Sequence, residues 1–257
     1  MIECSIDGSV ALLTLNNPSA NTFTRAGLEQ LHGLIGDLNR NLQVRAMVIT
    51  GQGEKFFSAG ADLKQFADGD KVSARFMAQR FGATFEALQE ARPVSIAAMN
   101  GYAMGGGLEC ALACDLRVCE EQAQMALPEP SVGLLPCGCG TQTLPWLVGE
   151  GWAKRMILTN ERVDAPTALR IGLVEQVVAK GAALKTALEI ATRVATLSPE
   201  AVTSSKGLIH QARLGTPRAA ALGLERERFV DLFDGADQRE GVNAFLEKRK
   251  PVWREHS

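Results

Sequence analysis

The 257-residue chain carries 27 Lys and Arg against 29 Asp and Glu, with 46% hydrophobic and 22% charged residues. That balance is ordinary for a folded protein with a substantial core, and it argues against a dedicated nucleic-acid surface, which needs a strong positive field. No apolar run reaches the roughly 18–20 residues of a membrane span. The opening MIECSIDGSV has neither a basic n-region nor an apolar h-region, so a cytoplasmic protein without membrane contact is expected.

In chain order, residues 3–6 and 9–15 alternate as strands do, with a hairpin signal, Asp7-Gly8, between them. Thr24 is placed to cap a helix running to about Asn41, with Leu28, Leu31, Leu34, Ile35 and Leu38 along one face. Residues 46–50 read as a short buried strand. The stretch FFSAGADLKQF, residues 56–66, reads as a loop in which Ala59-Gly60-Ala61 lets the backbone face a ligand. A helix over 71–91 is expected to bury Val72, Phe76, Phe81, Phe85 and Leu88, leaving Arg75, Gln79 and Arg80 in solvent. The apolar strand Val94–Met99 then breaks at Asn100-Gly101.

Short strands are expected at 116–119, 124–126 and 175–178, and a helix at 144–158 despite Pro145. Asp164 looks like a helix N-cap and Gly172 a helix end. Strands alternating with helices argue for an α/β arrangement. From Gly181 onward only helices are expected: 182–197, one restarted at Ser198-Pro199-Glu200, and one from Thr216-Pro217 to about Phe233. A last helix would open with the capping-box spacing of Asp237-Gln238-Arg239-Glu240. The chain thus divides into a core, residues 1–180, and a helical region, residues 181–257.

The six cysteines, Cys4, Cys110, Cys114, Cys119, Cys137 and Cys139, show no C-x-x-C spacing, and His32, His210 and His256 are remote in sequence. Reduced thiols and no metal are expected. Cys110 and Cys114, one helical turn apart, suit small buried hydrophobes; Cys137 and Cys139 in PCGCG follow the functional stretch closely.

That stretch runs from Ile96 to Gly133. Gly105-Gly106-Gly107 precede an apolar helix over 108–113, leaving its first amide N–H groups free to face negative charge. Glu109 lies inside the apolar helix, and Glu129 stands between Pro128 and Pro130. A carboxylate in apolar surroundings must be paired, hydrogen-bonded or protonated. Two that converge push each other's pKa apart and give one acid and one base.

NGYAMGGGLE, followed by ACDLRV, AQMALPEPSVGLLP and GTQ, together with FFSAGADLKQF upstream, resembles the crotonase (enoyl-CoA hydratase/isomerase) superfamily over essentially the whole chain. The resemblance implies a crotonase-like α/β fold, ββα repeats forming a spiral core, with a C-terminal helical region that packs subunits into trimers or hexamers. It implies an enoyl-CoA hydratase with Glu109 and Glu129 as the acid–base pair. The amides of Ala61 and Gly106 would form the oxyanion hole. Coenzyme A would be held near Ala59, Gly60, Asp62, Leu63, Lys64 and Gly105; it is the substrate's carrier, and no separate cofactor is implied. Lys64 is the first candidate for a phosphate contact, ahead of Arg25 and Lys248-Arg249-Lys250. Thr143, where many relatives carry Arg after GTQ, and Cys137 and Cys139, where Ala and Gly are common, depart from the pattern. Alternatives are an isomerase, a hydratase of branched or dicarboxylic acyl-CoA, and a non-catalytic binding protein. A hydrolase using Ser58 or Cys137 lacks a G-x-S-x-G elbow.

Overall fold

The computed structural model describes residues 1–253; His256 lies outside them. A hairpin of β1 (Ile2–Asp7) and β2 (Val10–Leu15) begins a six-stranded sheet in the order β1-β2-β3-β5-β7-β10. Its other members are β3 (Ala46–Gly51), β5 (Val94–Met99), β7 (Leu116–Glu120) and β10 (Gln176–Val178), and from β2 onward all pairings are parallel. The central strands β3 and β5 are buried at every residue because both faces are covered there, whereas the edge strand β1 is exposed after Ile2. Leu13, Met47, Ile49, Ala97 and Met99 point to α1 (Arg25–Arg40), α2 (Lys71–Glu90) and α3 (Gly106–Ala113). Alternate residues Ala46, Val48, Ile96, Ala98 and Val118 point the other way, to Ala183, Ala187 and Ala191 of α6 (Ala183–Ala195).

Thr24 caps α1 through a hydrogen bond from the Gly27 amide, and Leu28, Leu31, Ile35 and Leu38 are buried as the 3.6-residue period requires. Each contributes about 1.5–3 kcal/mol by leaving water. In α2 the burial begins later than expected. Met77, Phe81, Phe85 and Leu88 are buried, but Val72 in the first turn is 75% exposed.

Segment 56–66 is not entirely loop. Phe56–Ser58 is β4, which with β6 (Tyr102–Met104), β8 (Gln124–Ala126) and β9 (Val163–Asp164) makes a second sheet, ordered β4-β6-β8-β9. Two buried asparagines hold the hand-over between the sheets. Asn100 Nδ2 donates to the carbonyls of Gly51 (2.9 Å) and Gly53 (2.6 Å), while its Oδ1 accepts from the Gly51 amide. Asn21 Nδ2 donates to Gln52 and Phe56 carbonyls. These bonds replace ladder partners that the strands lose where one sheet gives way to the other.

Helix α4 (Gly140–Leu158) accommodates Pro145 near its start and is broken at Gly149, whose φ is 77°. Asp164 caps α5 (Ala165–Arg170), and Gly172 follows that helix with positive φ. Arg117, 3% exposed, donates to the Leu173 and Cys114 carbonyls and pairs with Glu175, tying β7 to the segment before β10. After β10 come α6, α7 (Pro199–Gln211), α8 (Arg218–Asp231) and α9 (Ala236–Leu246). The capping box expected at Asp237 is not used. Gly235 occupies the N-cap, and the buried Asp237 accepts instead from the Ser198 hydroxyl at 2.7 Å. A tertiary partner has displaced the local cap.

Candidate active site

Helix α3 starts at Gly106, two residues earlier than its apolar run suggests, and all eight of its residues are buried. Small residues make that possible: a Cβ on Gly107 would stand 2.2 Å from the Ser58 carbonyl oxygen, and one on Gly106 2.8 Å from the Phe81 ring. Gly105, at φ 53°, turns the chain into the helix, a conformation that side chains with a Cβ rarely adopt.

The 59–61 loop meets this helix start directly. Gly60 has φ 85°, and a Cβ there would lie 2.6 Å from the Met104 carbonyl oxygen and 2.9 Å from the Gly106 nitrogen. A parallel bridge joins Phe23 and Ala61: the Phe23 amide donates to Gly60, and the Asp62 amide donates to Phe23. Ala61's own N–H is therefore turned away from Phe23. The Gly106 N–H, in the first turn of α3, has no intrahelical acceptor. Both residues line a cavity of about 160 Å³.

Glu109 and Glu129 line the same cavity. Glu109 is 2% exposed, and its Oε1 accepts three successive amides at the start of α4: Gly138 (2.8 Å), Cys139 (2.9 Å) and Gly140 (2.8 Å). A carboxylate from α3 thus caps α4, where the helix dipole favours negative charge. Glycine is needed on either side for room: a Cβ at Gly138 would lie 2.5 Å from the Phe85 ring, and one at Gly140 2.9 Å from Leu127. Oε1 is satisfied, and Oε2 accepts no bond among the described residues.

Glu129 opens a short 3-10 turn (Glu129–Val132), with one carboxylate oxygen 2.9 Å from where a Cβ of Gly105 would stand. Its Oε2 is buried without a hydrogen-bond partner among the described residues. Burial, and secondarily the charge of Glu109, raises its pKa to about 7. Near neutral pH this group holds a proton about half the time, the condition for moving one in either direction.

Of the other expected residues, Ala59, Leu63 and Gly105 are on the cavity wall; Gly60, Asp62 and Lys64 are not. Gly60 is packed behind the wall, and Asp62 accepts from the Lys64 amide to cap the turn that carries an exposed Lys64. Phe81 lines the cavity from within the 68–85 segment expected to contribute to the pocket, and Phe66, Pro128, Ser131, Val132, Leu134 and Leu135 complete it. Phe81 sits in an edge-to-face cluster with Phe23 and Phe85. Its place on the apolar side of α2 was legible, but not which strand crossing it would meet.

Cys137 also lines the cavity, whereas Thr143 is buried away from its wall and accepts from Gln89. Burial pushes the thiols of Cys114, Cys137 and Cys139 up to about 12, so they stay protonated. Ser58 lies outside the cavity, its hydroxyl donating to the Asn21 carbonyl and accepting from the Gly60 amide. Among the described residues no group of three or more His, Cys, Asp or Glu is placed to hold a metal. A larger cleft of about 840 Å³ lies between α7 and the core, but its carboxylates are already engaged, Asp115 by Lys206 and Glu175 by Arg117.

A family model described as enoyl-CoA hydratase/isomerase matches residues 5–256. The structure of Pseudomonas aeruginosa DspI is 65% identical, with a TM-score of 0.96 over 98% of this chain and 96% of that one. The structure of an enoyl-CoA hydratase from Bacillus anthracis is 35% identical, with a TM-score of 0.95 over 99% of both chains. A short-chain-enoyl-CoA hydratase of Clostridium acetobutylicum is 38% identical over 95% of this chain and 94% of its own. With a free-amide pair, a carboxylate pair and this fold in one place, the chain belongs to the enoyl-CoA hydratase/isomerase family and has the crotonase fold.

Proposed function

We propose that the protein is an enoyl-CoA hydratase, adding water across the 2,3 double bond of an enoyl-CoA thioester to give the 3-hydroxyacyl-CoA. The observation that carries this reading is the meeting of two carboxyl groups, Glu109 and Glu129, in one small cavity lined also by Ala61 and Gly106 at the start of α3. The thioester oxygen accepts from the Ala61 and Gly106 amides, which stabilise the enolate that forms when Cβ is attacked. Donors of this kind are worth roughly 3–4 kcal/mol each in the transition state. Glu109, fixed through Oε1, presents Oε2 to the water and takes its proton as the oxygen bonds to Cβ. Glu129, protonated near neutral pH, gives a proton to Cα, and both carboxyls are restored after one proton returns between them.

Coenzyme A is carried along the 59–64 loop, with Lys64 as the phosphate contact, and no further cofactor takes part. The protein works in the cytoplasm as a homotrimer or homohexamer built through the helical region. No helix among the described residues is long and apolar enough to cross a membrane. Movement of a 3,4 double bond needs only one proton-shuttling carboxylate, and Glu129 can serve, so isomerisation is the second activity to assay.

Loss of the conjugated enoyl-thioester absorbance, followed across straight, branched and dicarboxylic acyl chains with 3-enoyl substrates alongside, tests the reading. Glu109→Gln and Glu129→Gln should each lower kcat about 10²–10⁴-fold. Wild-type-like turnover in both variants would sink it.

A further inference from the structure

We propose that Cys137 is a specificity-determining residue: its side chain occupies the room beside the carboxylate pair that a second substituent on the substrate's β-carbon would need. This deepens the hydratase reading and rests on it.

Three observations place the side chain there. Cys137 stands between buried Pro136 and buried Gly138, and its own exposed surface opens onto the cavity. Its backbone cannot withdraw, because the next amide, Gly138, grips Glu109 at 2.8 Å and has the Phe85 ring behind it. The thiol is close enough to both carboxylates to be raised by each, after the larger effect of burial. Cys137, Glu109 and Glu129 line the same cavity, so the side chain borders the space where the attacking water and Cβ must meet.

Volume then decides the consequence. The cavity is small, about 160 Å³. The thioester carbonyl, Cα, Cβ and the water share that space with the Cys137 side chain. A protonated CH₂–SH group, of roughly the bulk of one or two waters, leaves Cβ room for one hydrogen and the growing chain. A 3-methyl-2-enoyl thioester meets the sulfur. The thiol acts through size and stays uncharged, so it is not a nucleophile in this account.

The test compares but-2-enoyl-CoA with 3-methylbut-2-enoyl-CoA. In Cys137→Gly and Cys137→Ala the ratio of kcat/KM, branched over unbranched, should rise about 10-fold or more, the effect of one methyl group in a tight pocket. Cys137→Val should lower it. A general loss of structure would reduce both substrates together and leave the ratio alone. Calorimetric binding of the saturated pair, butanoyl-CoA and 3-methylbutanoyl-CoA, reads the same contest without turnover. A wild type that binds both saturated thioesters but hydrates neither enoyl substrate would remove the hydratase reading, with the binding ratio still testing Cys137. Ratios unchanged within about twofold in all three variants, by kinetics and by binding, would overturn the proposal.

Discussion

In α3 every residue from Gly106 to Ala113 is buried, whereas α8 buries none of its fourteen. The first is held by Ser58, Phe81 and the amides that grip Glu109, all within one chain. The second, with the turn that follows it, shows Phe229, Val230 and Phe233 to solvent, each more than half exposed, with the two rings stacked edge to face at 5.5 Å. The difference separates two ways of fixing a helix. One is set by contacts a single chain makes with itself; the other has an apolar side for which the described residues offer no cover, and the proposed trimer would supply it from a second copy.

The largest effects should come from α3 and its partner segment, where Glu109→Gln or Glu129→Gln lowers kcat about 10²–10⁴-fold with little change in circular dichroism. Next is a matched pair of glycine substitutions. Gly107→Ala forces a Cβ to within 2.2 Å of the Ser58 main chain and should cost about 3 kcal/mol in urea unfolding. Gly223→Ala, on α8 with nothing within 4 Å, should stabilise by about 0.5–1 kcal/mol. Equal effects at the two positions would break the comparison.

Protonation sharpens it further. The folded-state pKa of Glu129, about 7, lies above its ordinary 4.5, so the folded state holds a proton that the unfolded chain releases between those values. Its cost to stability is absent below pH 4.5 and complete above pH 7. Glu129→Gln should therefore stabilise the fold progressively from pH 5 to pH 8, by about 1–3 kcal/mol at the upper end. In the wild type, kcat/KM for hydration should fall above pH 7 as the acid is lost. The smallest effect on the fold belongs to α8: Phe229→Ser with Phe233→Ser should shift subunit stability by only about 0.5 kcal/mol. In sedimentation the same variant should move the protein toward a lower assembly state.

The fold was legible where a pattern was local. Thr24 and Asp164 announced their helices by capping chemistry that needs only neighbouring amides. The strands Val94–Met99 and 116–119 were readable from apolar runs and break signals. Where the deciding partner is far along the chain, the same rules misled. Asp237 has a capping-box neighbour but spends its carboxylate on Ser198, and Val72 fits the period of α2 yet is exposed. Of the three-residue strands, β8 and β10 were readable, whereas β4 and β6 lie inside segments read as a loop and as a break. For the candidate site, the two glutamates and the small-residue turns were visible as motifs. The triple-amide grip on Glu109 was not, since nothing in PCGCG says which carboxylate its backbone will meet.

Gly60 lies with its main chain against that of Met104 to Gly106, with no room even for a methyl group between them. The gap separating the two hydrogen-bond donors is accordingly gauged by backbone resting on backbone. Side chains around it can be exchanged to admit a longer, bulkier or differently charged acyl group without resetting that gap. A scaffold built this way can diversify its substrates while the spacing of the two proposed enolate-stabilising donors stays constant.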